Sequence, residues 1–248
     1  MKQQTLEWGE GVTLTTYVLD GKRPRGAVLV LPGGAYRMTS DREAEPIALR
    51  FTAAGFHAFV LRYSVAPNRH PKPLQDAQKA LDLIRSQSSE WNLDPAKVAV
   101  CGFSAGGHLA ASLGVFGNPR PDALILSYPV ITSGPFAHQG SFENLLGQEA
   151  PAPVQAQLSL ETQVTDKTPP TFLWHTYDDA AVPLENTLLF AGALRQAAVP
   201  FELHVFPKGR HGISLAEAET DFEDGGGIDA HVARWMGLCV EWLTLQFL

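Results

Sequence analysis

The sequence predicts an α/β fold: a mostly parallel, eight-stranded sheet with helices on both faces. Three observations predict it. Residues 26–31 (Gly-Ala-Val-Leu-Val-Leu) and 122–128 (Asp-Ala-Leu-Ile-Leu-Ser-Tyr) are almost continuously apolar, as strands covered on both sides require. Apolar stripes of helical period alternate with the strand runs, as in βαβ crossovers. Glycine-bearing turns fall where several of these runs end.

Taken in order, strands are predicted near 3–8, 12–19, 26–31, 56–62, 97–101, 122–128, 170–175 and 201–206. The first two are more polar and adjacent in sequence, so an antiparallel edge is expected there. Ser40-Asp41-Arg42-Glu43 has the form of a capping box opening a helix to about residue 54. Leu74, Ala77, Leu81 and Ile84 make the next helical face, and Leu109, Leu113 and Phe116 another. Leu184, Leu188, Ala191, Leu194 and Ala198 make a further one, with Pro183 in its first turn. Ile228, Val232, Trp235, Cys239 and Trp242 make the last. All read as core-facing. Residues 133–169 lack a strong period and carry prolines at 135, 151, 153 and 169. They read as an insertion over the sheet's C-terminal edge, a small cap with one or two short helices within a single domain spanning 1–248.

Composition narrows the class. With 45% hydrophobic and 18% charged residues, the 248-residue chain reads as an ordinary globular protein, not a disordered or collagen-like one. A net charge of -7 argues against a nucleic-acid or anionic-lipid partner. Two cysteines, Cys101 and Cys239, are too few for a disulfide framework and read as buried thiols. The N-terminal stretch has no apolar leader, and no window approaches a membrane span. The expectation is a cytoplasmic protein without a membrane partner; the oligomeric state is left open, a homo-oligomer included.

Four segments carry chemistry. Val98 to Leu109 contains Gly102-Phe103-Ser104-Ala105-Gly106 between an apolar strand and an apolar-periodic helix. Such a turn lifts a serine hydroxyl clear of a sheet, and the flanking glycines prevent clashes. It also places Ser104 at a helix N-terminus, where N–H groups favour negative charge, with the Ala105 N–H turned toward a developing oxyanion. Leu31-Pro32-Gly33-Gly34-Ala35-Tyr36 ends a strand in glycines that leave N–H groups uncrowded, making Gly34 and Ala35 the other oxyanion donors. In His175-Thr176-Tyr177-Asp178-Asp179-Ala180-Ala181-Val182-Pro183 two aspartates compete; the spacing Asp-x-x-Val-Pro selects Asp179 as the orienting acid, leaving Asp178 to the turn backbone. In Phe206-Pro-Lys-Gly209-Arg210-His211-Gly212 a histidine follows a strand in a glycine-flanked turn, as an accessible base requires. The chain order Ser104, Asp179, His211 is that of an α/β-hydrolase. The remaining histidines read as structural, except that His138, in the insertion, is a candidate substrate contact together with Tyr36 and Arg37. No segment has metal-ligand spacing, and no cofactor is implied.

Leu31 to Tyr36, Ser40-Asp-Arg-Glu-Ala-Glu-Pro46, Gly102-Phe-Ser-Ala-Gly-Gly-His-Leu-Ala110, Tyr128-Pro-Val-Ile131, Trp174-His-Thr-Tyr-Asp-Asp179 and Pro207-Lys-Gly-Arg-His-Gly212 resemble the bacterial α/β-hydrolase esterases of the acetyl xylan esterase and feruloyl esterase-like group. The resemblance runs from about residue 25 to 245. It implies hydrolysis of short-chain acyl esters, with acetylated sugars or xylo-oligosaccharides as candidate small-molecule substrates. Ser104, Asp179 and His211 match its triad positions, and Gly34, Ala35 and Ala105 its oxyanion positions. Ala35 stands where related proteins often carry a third glycine. Two other readings remain: a peptidase or amidase using the same residues, and a non-catalytic ligand-binding homologue.

Overall fold

Eight strands form one sheet in the order β1-β2-β4-β3-β5-β6-β7-β8. They are β1 (Lys2–Glu7), β2 (Thr13–Val18), β3 (Arg25–Leu31), β4 (His57–Arg62), β5 (Leu93–Phe103), β6 (Ala123–Ser127), β7 (Thr171–Thr176) and β8 (Phe201–Phe206). The structure is a computed structural model and describes residues 1–9 and 11–248. β2 pairs antiparallel with β1 and with β4, and every other pairing is parallel. The antiparallel edge is therefore where the polar N-terminal strands place it.

The helices are α1 (Glu45–Ala53), α2 (Lys72–Ser86), α3 (Ser88–Trp91), α4 (Ala105–Phe116), α5 (Gln139–Leu146), α6 (Ala152–Gln157), α7 (Glu185–Gln196) and α8 (Arg234–Gln246). Alternation along the central strands divides the core into two layers. Leu29 and Leu31 of β3, with Val98 and Val100 of β5, meet Leu81 of α2, Leu109 of α4, and Phe190 and Leu194 of α7. Val28 and Val30, with Ala99, Cys101 and Phe103, meet Phe51 of α1 and Trp235, Cys239 and Trp242 of α8. In the second layer Trp235 stacks on Trp174 with ring centroids 4.9 Å apart. Burying a large apolar side chain contributes roughly 1.5–3 kcal/mol, so these two layers fix how the helices clasp the sheet. Cys101 and Cys239 are free and buried. Among the described residues no helix is long and apolar enough to cross a membrane.

Register aligns the strand ends. Leu31 pairs with Gly102, Phe103 with Ser127, Ser127 with Trp174, and Thr176 with Phe206. The loops that carry Gly34, Ser104, Asp179 and His211 all leave from this one row, the C-terminal edge of the parallel strands. Segment 133–169 folds as α5, α6 and a short 3₁₀ turn at Leu160–Thr162, the short helices expected of it.

Three boundaries differ from expectation. Ser40 makes no side-chain cap; Asp41–Glu43 is a 3₁₀ turn, and α1 starts only at Glu45. The Glu43 side chain turns inward instead of back toward Ser40, and is buried. α7 begins at Glu185, after Pro183, and buries Thr187, Phe190, Ala191 and Leu194 while Leu188 is exposed. The polar residues Asn186 and Thr187 face inward because each has a buried hydrogen-bond partner, which rotates the helix away from its most apolar stripe. Ile228 and Val232 precede α8, in a turn held by Asp229 Oδ1 accepting from the N–H groups of His231 and Val232, and Ile228 is exposed.

Burial sets an acid limit on this fold. His108, fully enclosed on α4, is driven by desolvation down to about 4, and burial lowers His57 and His70 in the same direction. In the unfolded chain histidine titrates near ~6.5. Between these values the unfolded chain binds more protons, so the stability present above ~6.5 is lost as pH falls toward 4, by about 3 kcal/mol for His108 alone. The urea midpoint is expected to fall steadily from pH 7 to pH 4; a midpoint constant across that window contradicts the buried neutral histidines.

Candidate active site

β5 ends at Phe103 and α4 starts at Ala105, so Ser104 alone turns the chain, at φ 53° and ψ −119°. Contacts on both sides permit it. A Cβ on Gly102 would strike the Gly106 carbonyl, and one on Gly106 would strike the carbonyls of Leu31 and Pro32. The Ser104 N–H donates to Ser127 O at 3.0 Å, and Ser104 O accepts from Val130 (3.0 Å) and His108 (3.1 Å). The backbone is thereby tied on both sides, and the hydroxyl is left to face the cleft.

Ser104 Oγ lies 2.7 Å from His211 Nε2, and His211 Nδ1 lies 2.6 Å from Asp179 Oδ2. A carboxylate only accepts, so Nδ1 carries the hydrogen and Nε2 is free to accept from the serine hydroxyl. The His211 ring stands edge-on to Tyr128, centroids 5.1 Å apart. Asp179 Oδ1 accepts from the N–H groups of Ala181 and Val182 at 2.9 and 3.0 Å, the link behind the Asp-x-x-Val-Pro spacing. Burial acts to raise the Asp179 carboxyl, but hydrogen bonds from His175 and His211, electrostatic attraction to the His211 ring and the Val182 N–H outweigh it and hold the group well below the usual carboxylate range. Asp178 is exposed and accepts from the Gly209 N–H at 2.7 Å, a backbone duty as expected.

The loop after β3 supplies the facing wall. Gly34 takes φ 134°, where a Cβ would collide with Met38 O, and Ala35 and Tyr36 follow at φ 55° and 56°. Gly34 O accepts from the N–H groups of Arg37 and Met38. Among the described residues the N–H groups of Gly34, Ala35 and Ala105 have no backbone acceptor. Asn144 of α5 donates to Ala35 O at 2.9 Å, so the 133–169 segment braces this loop. A cleft of about 340 Å³ is lined by Gly34, Ala35, Arg37, Ser104, His138 and His211, with Met38, Glu43 and Gly212 among its other walls.

Of the expected substrate contacts, Arg37 and His138 reach this cleft and Tyr36 does not. Tyr36 is 2% exposed, its hydroxyl 2.9 Å from His108 Nδ1 and its ring packed edge-on to Tyr63. Two successive left-handed residues turn its side chain into the core, so it supports the loop from behind. His138 caps α5 through Ser141, with Nδ1 2.8 Å from Ser141 Oγ.

A family model described as BD-FAE matches residues 18–125. The solved acetyl ester-xyloside bifunctional hydrolase from Caldicellulosiruptor lactoaceticus is 43% identical and superposes with a TM-score of 0.87, over 94% of this chain and 88% of that one. The chain belongs to the α/β-hydrolase esterase family. Two curated relatives of the chain are longer. Endo-1,4-beta-xylanase B of Butyrivibrio fibrisolvens is 41% identical over 83% of this chain and 35% of its own length. The acetylxylan esterase of Xylanibacter ruminicola is 31% identical over 78% and 42%. The chain thus spans less than half the length of either.

Sequence reasoning missed four side chains at the site of this α/β-hydrolase. His175 reads as a strand histidine, yet it is fully buried with Nε2 3.0 Å from Val182 O and 3.3 Å from Asp179 Oδ2, and Nδ1 2.7 Å from Thr187 Oγ1. Glu43 reads as a helix cap, yet it accepts from the Gly33 N–H and the Tyr128 hydroxyl. Asn144 carries no local signal, and Tyr128 was legible only as the head of the family-like Tyr128-Pro-Val-Ile131 stretch, with no role assigned to it. For His175 the spacing was the available clue: it lies near the end of β7, four residues before Asp179 in the turn that follows.

The two neighbouring aspartates are expected to separate cleanly. Asp179→Asn should lower kcat by about 10⁴-fold, the loss typical when the base is left in the wrong tautomer. Asp178→Asn keeps an amide oxygen for the Gly209 N–H and should stay within about threefold of the parent, as surface changes do. Steady-state kinetics on the folded variants checks this, and the reverse ranking moves the acid to Asp178.

Proposed function

We propose that the chain is a serine carboxylesterase that removes short acyl groups, acetyl foremost, from sugars such as xylo-oligosaccharides. The observation that carries this reading is the continuous hydrogen-bonded run from Ser104 Oγ through His211 to Asp179, at 2.7 and 2.6 Å, opening on the cleft. Ser104 Oγ attacks the ester carbonyl as its proton passes to His211 Nε2. The N–H groups of Gly34 or Ala35 and of Ala105 hold the oxyanion. The tetrahedral intermediate collapses, His211 returns the proton to the departing alcohol, and an acyl-Ser104 ester remains. His211 then takes a proton from water, which attacks the acyl carbon; as this second tetrahedral intermediate collapses, His211 returns the proton to Ser104 Oγ and the acid is released. Asp179 stays ionised throughout and steadies the imidazolium.

Several features support a short acyl group and a polar alcohol. Ala35 adds a methyl group to the oxyanion wall, and Phe142 and Leu145 pack with Tyr36 and His108 behind it and leave no room for a water molecule. The cleft rim carries Arg37, Ser40 and His138, side chains able to hydrogen-bond sugar hydroxyls. The names of two relatives, an acetyl ester-xyloside bifunctional hydrolase and an acetylxylan esterase, point the same way. We take residues 1–248 as one catalytic unit, with 133–169 as its small cap.

The test is kcat/KM on p-nitrophenyl esters from acetate to palmitate, then on acetylated xylo-oligosaccharides. A maximum at acetate or propionate is expected, since each methylene left outside an apolar site forgoes roughly 0.8 kcal/mol. A maximum at decanoate or longer contradicts the short-acyl reading. Activity on aryl acetates with none on acetylated sugars removes the carbohydrate assignment alone.

A further inference from the structure

Glu43 is a carboxylate 3% exposed whose two oxygens are met by neutral donors. Oε2 accepts from the Gly33 N–H at 2.8 Å, and Oε1 accepts from the Tyr128 hydroxyl at 2.6 Å. Burying a charge without a cation is costly, several kcal/mol per ion even after relaxation. Stability is therefore a poor reason for it to be there, and its place in the site supplies a better one.

Each oxygen is attached to a different half of the site. On one side Gly33 is wedged between Glu43 and the serine turn: a Cβ there would sit 2.8 Å from Glu43 Oε2, 2.8 Å from Phe103 O and 2.9 Å from Ser104 Cβ. The carboxylate thus fixes the loop that presents Gly34 and Ala35. On the other side the Tyr128 hydroxyl accepts from the Ser214 N–H at 3.0 Å while the Tyr128 ring stands against His211. The same turn adds two further ties. Arg42 O accepts from Ser214 Oγ at 2.6 Å, and the Arg42 guanidinium donates to Gly212 O. Residues 42–43 therefore bind the loop after β3 and the loop after β8 to one another.

We propose that Glu43 is a positioning residue that holds the oxyanion loop and the His211 loop in register with Ser104. The proposal rests on the serine esterase reading above. A misplacement of about 1 Å at a reacting centre costs on the order of 10²-fold in rate, so the tether acts on the transition state more than on substrate binding. In Glu43→Gln the size is kept, but only one atom of the amide accepts, and one of the two loops is released. A role in stability alone gives the opposite pattern, a lower Tm with kcat intact.

The experiment measures kcat, KM, Tm and phenylboronic acid affinity for Glu43→Gln, Tyr128→Phe and Ser104→Ala, with p-nitrophenyl acetate as substrate. The boronate forms a tetrahedral anion on a reactive serine and so reports the oxyanion geometry. For Glu43→Gln the expected result is a kcat lower by on the order of 10²-fold, KM within about threefold, and a boronate Kd raised in proportion. Its Tm should be unchanged or higher, because a buried charge has gone. Tyr128→Phe keeps the Gly33 contact and releases the His211 side only, so a smaller fall in kcat is expected. A folded Glu43→Gln with parental kcat and boronate affinity overturns the proposal. Should Glu43→Gln not fold, Tyr128→Phe decides: parental kcat overturns it and a reduced kcat at constant KM supports it. Ser104→Ala separates the two levels, since retained hydrolysis there overturns the serine reading itself.

Discussion

The backbone at Ser104 is the constraint on which the rest of the site depends. A non-glycine residue at φ 53° and ψ −119° is strained by about 1–3 kcal/mol and persists only where its surroundings over-determine it. Here they do. β5 approaches from one side, α4 departs on the other, and Gly102 and Gly106 let the two pass close to each other and to the end of β3. Backbone hydrogen bonds to Ser127, Val130 and His108 then anchor the turn to β6, to the segment beyond it and to the first turn of α4. The parallel sheet is what makes this affordable, because strands in register deliver all of the participating loops to one edge.

From that turn the loops are organised by contacts that cross the chain. Asp179 gathers two backbone N–H groups and two imidazoles. Its negative charge is thus held by directed donors in a buried place, which fixes the His211 tautomer. On the facing side, Glu43 and Asn144 brace the loop at 33–38, one at the Gly33 N–H and the other at the Ala35 carbonyl. Two buried carboxylates therefore flank the serine, each ionic group matched to donors on a different loop. These attachments are distributed over the loops after β3, β5, β7 and β8 and over α5, so the geometry does not rest on any single one.

Local chemistry was legible in the sequence and long-range chemistry was not. Gly102, Ser104 and Gly106 could be read because the turn they make involves only neighbours in the chain. Asp179 was separable from Asp178 because its partners, Ala181 and Val182, lie two and three residues on. Strand positions were readable from apolar runs, since parallel strands are covered on both faces. Glu43 misled because Ser-x-x-Glu is also a capping signal, while its real partners, Gly33 and Tyr128, lie 10 and 85 residues away. Tyr36 misled because nothing local says that two consecutive left-handed residues will turn a tyrosine inward toward His108, 72 residues on. The face of α7 was misread for a similar reason: Asn186 and Thr187 are polar, and only their partners at Ile131, Thr132 and His175 explain their burial.

Peptide mapping by mass spectrometry after reaction with diisopropyl fluorophosphate tests the central claim most directly, that Ser104 is the activated nucleophile. One adduct per chain is expected, on the peptide carrying Ser104, forming in step with the loss of esterase activity. An adduct on another residue, or full activity surviving in unlabelled protein after prolonged exposure, contradicts it.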